Sequence, residues 1–273
     1  MLEIICVGNE LLIGKTLNTN AHWLAKKATS LGMMAKRVTV ILDEADVIAT
    51  VLREALKRKP RFVITTGGLG PTFDDKTLEG IARGLDRKLE VNEKALRMVK
   101  EKYESYLKQG NVDKVELTPA RVKMATFPEG AEPLRNAMGT APSMLLRIGS
   151  TFVIALPGVP PEMEAIFDES VAPLIKKEAG DSGFFEKSVY ADRIMESNLA
   201  PLIDQAMHDN PRVYIKSHVY TRSDKQPSEG RPHIEIHFST TAETSKSALE
   251  QLDKTIADLS RLIVNSGGRV RQV

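Results

Sequence analysis

The stretch Arg61-Phe62-Val63-Ile64-Thr65-Thr66-Gly67-Gly68-Leu69-Gly70-Pro71-Thr72-Phe73-Asp74-Asp75-Lys76-Thr77 decides how this chain is read. Residues 61–65 have the length and apolar character of a buried strand. Three glycines and a proline end it, and a helix begins near Asp74 or Asp75 and stops at Gly84. A glycine loop between a strand and a helix lets backbone N–H groups approach a ligand. Threonine hydroxyls add donors, and the helix N-terminus favours an anion. The spacing is not Gly-x-Gly-x-x-Gly, so a dinucleotide fold is not indicated. Two adjacent carboxylates beside a phosphate site suit a divalent metal or a general base. A helix cap would account for either of them equally well.

Working outward, residues 3–7 form another buried strand, ending at Gly8. Asn18-Thr19-Asn20 caps a helix through Ala21, Leu24, Ala25, Ala28 and Leu31, with Gly32 past its end. Residues 33–42 contain a strand, and Asp43 caps a helix whose Val47, Ile48, Val51, Leu52, Ala55 and Leu56 share one face until Pro60 closes it. This βαβαβ-loop-α order predicts a parallel sheet with helices on both faces and a ligand at the carboxyl ends of the strands. Further on come a helix at 92–108, short elements with turns over 111–150, and a strand at 152–156 that ends in Pro157-Gly158-Val159-Pro160-Pro161. A helix at 162–177 follows. Gly180-Asp181-Ser182-Gly183 reads as a linker. Beyond it the pattern gives a strand (184–193), a helix (197–209), a strand (211–220), a polar loop (221–231), a strand (233–239) and a helix (244–263). The expected architecture is a three-layer α/β/α domain over residues 1–173 and a smaller α+β domain over 174–273.

Composition narrows the function. The 273 residues are 42% hydrophobic and 27% charged, enough for packed cores and against wholesale disorder. Aromatics are 5%, and 38 basic against 36 acidic residues leave a net charge of +2. Residues 174–273 hold 14 of each sign. Neither figure suits a nucleic-acid binder, which needs a basic groove and stacking rings. The single Cys6 cannot form an intrachain disulfide and reads as a core residue. No apolar run approaches the ~18 residues of a membrane span, and no signal peptide is seen, so a cytoplasmic protein is expected. Two motifs mislead. Gly8 to Thr16 resembles a Walker A loop but has five residues between its glycines where four are required. Asp43-Glu44-Ala45-Asp46 spells a DEAD box with no nucleotide loop to serve, and reads as an acidic helix start.

At these blocks the chain resembles the competence/damage-inducible protein A (CinA) family, whose first domain is similar to the molybdopterin-binding domain of molybdenum-cofactor biosynthesis proteins. The blocks are Gly8-Asn9-Glu10-Leu11-Leu12-Ile13-Gly14 with Asn18-Thr19-Asn20-Ala21, then Thr66 through Thr77, then 136–142 and 156–163. The tail resembles the family's KH-like domain through Glu196-Ser197-Asn198-Leu199-Ala200 and Tyr214-Ile215-Lys216-Ser217-His218. Asn9 stands where the family usually has Asp, and Ser143 where it usually has Gly. The amidase domain of longer members is not expected. The resemblance implies a metal-dependent pyrophosphatase that hydrolyses ADP-ribose-type diphosphates to AMP and a sugar phosphate. The alternatives are molybdopterin binding or adenylylation, and a non-enzymatic nucleotide-binding scaffold. Asp75, Asp74 and Glu10 are the expected catalytic residues, with Asp74 and Asp75 also holding Mg, Mn or Co. The expected nucleotide and phosphate contacts are Gly8, Asn9, Thr66, Gly67, Gly68, Leu69, Gly70, Thr72, Asn136, Gly139, Thr140 and Gly158. A homodimer assembled through the tail is expected, its motive an uncovered edge at 211–220 and 233–239, with no nucleic-acid or membrane partner.

Overall fold

Every residue of β1 (Leu2–Val7) and of β3 (Phe62–Thr66) is buried, as strands covered on both faces must be. A computed structural model describes residues 1–181, 183–220 and 233–272. The chain divides into two compact units, one of Met1–Thr29 with Met33–Glu178 and one of Ser30–Gly32 with Ala179–Val273.

In the first unit β1 is followed by a single turn, α1 (Asn9–Leu12), then α2 (Thr19–Ser30), β2 (Ala35–Ile41), α3 (Ala45–Lys57) and β3. Next come α4 (Thr77–Gly84), β4 (Leu89–Val91), α5 (Glu93–Lys108), α6 (Pro119–Lys123), β5 (Thr126–Pro128) and β6 (Glu132–Leu134). The unit closes with β7 (Ser143–Ile148), β8 (Thr151–Leu156) and α7 (Pro160–Ile166), which widens into a π turn at Phe167–Val171 before α8 (Ala172–Ala179). The main sheet runs β2-β1-β3-β8-β7-β6. Its first four strands are parallel and the last two antiparallel. The register aligns Cys6 with Thr66 and Thr66 with Leu156, so β1, β3 and β8 end side by side.

One face of this sheet, through Ile5, Val7, Val63, Val153 and Ala155, shares a core with Ile48, Leu52, Ile81 and Val99 of the helices. The alternate residues Ile4, Cys6, Ile64, Ile154 and Leu156 are buried too, so the other face is also covered. There Trp23 of α2 meets Phe167 edge-on, with ring centroids 5.3 Å apart. Cys6 is a core residue whose burial raises the pKa of its thiol. The fold is mixed α/β with a mostly parallel central sheet, plus a separate antiparallel sheet.

That second sheet belongs to β9 (Gly183–Asp192), α9 (Glu196–Asp209), β10 (Val213–Tyr220), β11 (His233–Ala242), α10 (Ser245–Asn265) and β12 (Arg269–Gln272). Its order is β10-β11-β9-β12, all antiparallel. Leu252, Leu259 and Ile263 of α10 pack with Ile236 and Phe238. Two sequence expectations change here. The strand β12 escapes the sequence reading because it has only four residues, two of them arginine, after Gly267 and Gly268. The expected edge reduces to β10, since β11 pairs on both sides. Ser182 of the expected linker and the polar loop at 221–231 lie outside the described residues. No helix among the described residues is long and apolar enough to cross a membrane.

Leu52 is fully buried between α3 and the sheet, whereas Val38 on the edge strand β2 is exposed. Leu52→Ala is expected to cost about 2–5 kcal/mol in denaturant unfolding, and Val38→Ala less than about 1 kcal/mol. Equal losses would show that the first unit does not fold around this core.

Candidate functional site

Three strand ends meet where side chains are missing: Gly8 after β1, Gly67 after β3 and Gly158 after β8. The Gly67 N–H donates to the Leu156 carbonyl at 3.0 Å. A Cβ on Gly67 would collide with the Val7 carbonyl oxygen, and one on Gly158 would lie 3.3 Å from the Gly67 Cα. Gly67 and Gly68 have φ of 105° and 67°, a region that residues with a side chain enter only with strain. The chain then loops out and returns at Thr77. The Thr77 hydroxyl donates to the Gly67 carbonyl at 2.7 Å and its N–H to the Gly68 carbonyl at 3.1 Å. Leu69 is buried and anchors the loop in the core.

The polar groups of the loop divide in two. The N–H groups of Gly68, Leu69 and Gly70 donate to no acceptor among the described residues. The carbonyls of Gly70 and Thr72 accept from the Lys123 ammonium, the former at 3.2 Å. Burial lowers the pKa of Lys123, while Asp75 and Asp74 oppose that shift.

Asp74 and Asp75 do not cap α4. That helix starts at Thr77, and its N-cap residue, Lys76, makes no side-chain capping bond. The Asp75 Oδ2 instead accepts from the Thr72 N–H at 2.8 Å and from its hydroxyl at 2.6 Å, and the same hydroxyl bonds the Asp74 Oδ1. The Thr72 hydroxyl holds the Asp74 carboxyl below the usual carboxylate range. Asp75 also overlies Gly70, where a Cβ would stand 2.6 Å from its Oδ2. Glu10 does the same over Gly8, with 2.8 Å from that Cβ position to its Oε2.

Asp43, read from sequence as a helix cap, has another place. Glu44 is the N-cap of α3, and the Asp43 Oδ2 accepts from the Asn9 N–H at 2.7 Å while its own N–H donates to the Asn9 Oδ1 at 3.3 Å. Burial raises its carboxyl pKa; the Asn9 bond opposes this, and the charges of Glu10, Asp74 and Asp75 add to it. Four carboxylates from three strand ends therefore share one region.

Other expected residues are engaged within the protein. The Thr66 hydroxyl donates to the Pro157 carbonyl at 2.8 Å and accepts from the Asn20 amide at 2.9 Å, and that amide also donates to the Gly158 carbonyl at 2.9 Å. The helix cap of the Asn18-Thr19-Asn20 block is Asn18, whose side chain accepts from the Ala21 N–H. Asn136 holds its own turn. Its Oδ1 accepts from the N–H groups of Met138 and Gly139, and its amide donates to the Ala141 carbonyl and to Glu162 at 2.6 Å. The Thr140 hydroxyl lies 3.7 Å from the Met124 sulfur.

Asp43, Lys123, Glu162 and the bridging role of Asn20 were missed from the sequence. Lys123 lies 51 residues beyond Thr72 in an ordinary helical turn, and no local signal marks it. Asp43 carried a signal, an acid directly after a strand in an alternating α/β pattern, that the helix-cap reading concealed.

The architecture is that of an α/β protein with a glycine-loop site at the carboxyl edge of its parallel strands. Residues 3–177 match the family described as "Probable molybdopterin binding domain", and the chain belongs to that family. A protein of Pyrobaculum arsenaticum is 44% identical over 265 residues, 97% of this chain and 95% of its own. One of Aeropyrum pernix is 42% identical over 270 residues, 98% and 96% of the two chains. Among solved structures, the protein CinA of Thermoplasma acidophilum, reported with unknown function, is 40% identical with a TM-score of 0.57. The match covers 66% of this chain and 97% of that one.

The raised Asp43 carboxyl sets a pH test. Its folded pKa lies above its unfolded one, so protonation favours folding and that contribution is lost as pH rises through the folded value. Asp43→Asn removes the cost of ionisation and is expected to raise the melting temperature at pH 7. The gain should shrink as pH falls and the wild-type carboxyl becomes protonated in both states. A pH-independent difference in calorimetry would contradict this account.

Proposed function

We propose that the first unit binds a phosphate ester of a flat heterocycle, of which molybdopterin is the member the family favours, and acts at its phosphate with a divalent metal. The observation that carries this reading is the set of unengaged N–H groups on Gly68, Leu69 and Gly70, in a loop whose base is fixed by Gly67 and Thr77. Successive backbone N–H groups suit phosphate oxygens. Lys123 steadies the loop through two carbonyls and adds positive charge beside it.

The residues present also suit a metal of the Mg, Mn or Co class. Among the described residues no three His, Cys, Asp or Glu side chains could hold an ion by themselves. Hard cations of this kind bind through one or two carboxylates, with substrate phosphates and water completing the shell. Asp74 and Asp75, joined by the Thr72 hydroxyl, fit that mode. A bound ion supplies charge neutralisation at the phosphoryl oxygens.

A second reading, hydrolysis of an ADP-ribose-type diphosphate to AMP and a sugar phosphate, is favoured by the further carboxylates Glu10 and Asp43. In it Asp75, tied to Thr72 through Oδ2, takes the proton of an attacking water through Oδ1. The water oxygen bonds to phosphorus, and the bond from that phosphorus to the bridging oxygen breaks.

Calorimetry with molybdopterin, and AMP release from ADP-ribose with Mg²⁺ or Co²⁺, separate the two. Molybdopterin binding without AMP release supports the first reading, and AMP release supports the second. Where AMP is released, Asp75→Asn is expected to lower that turnover about 10²–10⁴-fold with the fold intact. Turnover within a few-fold of wild type would reduce Asp75 to a loop brace, and no affinity for either ligand would overturn both.

A further inference from the structure

Away from the glycine loop, toward the antiparallel edge of the main sheet, lies a cavity of about 420 Å³, the size of a small-molecule site. Arg87, Glu132, Leu145, Leu146, Arg147 and Phe152 line it. The strand register gathers most of them. Glu132 of β6 stands opposite Leu145 of β7, and Arg147 of β7 opposite Phe152 of β8. Residues directly opposite share a face of the sheet, as do residues two apart on one strand, so these four share one face. Phe152 is also aligned with Phe62 at the start of β3, whereas the glycine loop follows the end of that strand.

The charges lining this cavity are not paired with one another. The neighbouring Arg61 is committed, pairing with Glu178 at 2.5 Å and donating to the Ser150 carbonyl at 2.5 Å. Arg147 spends its Nε on the Gly149 carbonyl at 3.1 Å, and its guanidinium carbon lies 5.6 Å from the Phe152 ring centroid. Glu178 feels Arg147 only through its charge, after Arg61. Arg87 crosses Gly130, where a Cβ would stand 2.8 Å from its Nη1, and that nitrogen donates to the Glu129 carbonyl. The remaining N–H groups of both arginines and the Glu132 carboxylate have no hydrogen-bond or ion-pair partner among the described residues.

We infer that this cavity binds a small carboxylic acid with an apolar body and a hydrogen-bond donor beside the carboxylate, the chemistry of an α-amino or α-hydroxy acid. Each part of that ligand answers one feature of the walls. The guanidinium fork matches a carboxylate in shape and charge, and two arginines against one acid leave the cavity positive by one. Glu132 accepts from a hydroxyl or an ammonium and repels a second negative charge, which disfavours a phosphate dianion. Leu145, Leu146 and Phe152 offer the apolar body a surface on which to leave water. The site is independent of the phosphate-ester reading of the glycine loop.

The experiment is calorimetric titration of the full chain at millimolar ligand, with L-leucine, its α-hydroxy analogue, isocaproate (which lacks the donor) and inorganic phosphate. Wild type is expected to bind leucine or the hydroxy acid at least tenfold more tightly than isocaproate. Arg147 is exposed, and Arg147→Gln is expected to weaken the bound acid at least tenfold, with melting temperatures verifying the fold. Arg147→Lys, which keeps the charge and loses the fork, is expected to weaken it as well and serves if the first variant melts early. Glu132→Ala is expected to abolish the advantage over isocaproate. Three results overturn the inference: wild type that binds neither acid, affinity within twofold of wild type in folded Arg147→Gln, or phosphate bound more tightly than the acids and lost in that variant, which would make the cavity a phosphate site.

Discussion

The site depends on how closely the backbone at Gly67 is enclosed. Its N–H is held by the Leu156 carbonyl, the Val7 carbonyl stands where a Cβ would be, and Gly158 approaches its Cα from the third strand. No residue with a side chain satisfies all three conditions at a φ of 105°. Because β1, β3 and β8 are parallel and in register, their ends can close together this tightly. The loop beyond Gly67 is thereby aimed by the sheet, and Thr77 only needs two hydrogen bonds to close it.

Around that constraint the polar groups divide the work. Asn20, Thr66, Asn136 and Glu162 are occupied with one another and with backbone carbonyls. A net contribution of about 1 kcal/mol for each such bond is modest, but leaving a buried partner unmade would cost about 1–3 kcal/mol. They are better understood as braces of the strand ends and of the turn at 136–142. The groups left for a ligand are the loop N–H groups, the carboxylates that overlie Gly8 and Gly70, and the buried Asn20 Oδ1, which has no partner among the described residues. Rigid support beneath a small set of available groups is what preorganised binding requires.

The electrostatics of the region are unbalanced by the protein alone. Asp43 feels the charges of Glu10, Asp74 and Asp75, and burial displaces its pKa upward. The cation placed in contact with the loop, Lys123, is partly desolvated and tied to backbone carbonyls. An anionic phosphate alone would be repelled by the acids, and a cation alone would lack a full shell. A phosphate and a divalent ion together satisfy both halves of the site.

The sequence by itself determined the alternation of strands and helices, the buried strands at β1, β3 and β8, the second unit's helices, and the glycine loop between β3 and α4. Those features are local: apolar periodicity, helix ends and glycine spacing are written in contiguous residues. It also marked Asp74 and Asp75 as a carboxylate pair after the glycine loop, while Glu10 was marked by the family resemblance. The tertiary structure alone decided that Asp74 and Asp75 bond to Thr72 and leave α4 uncapped, that Asp43 pins Asn9, and that Thr66 and Asn136 face inward. It alone brought Lys123 to the loop. These are contacts across tens of residues, fixed by the register of parallel strands and the packing of helices upon them, and no local pattern encodes the partner of a side chain that far along the chain.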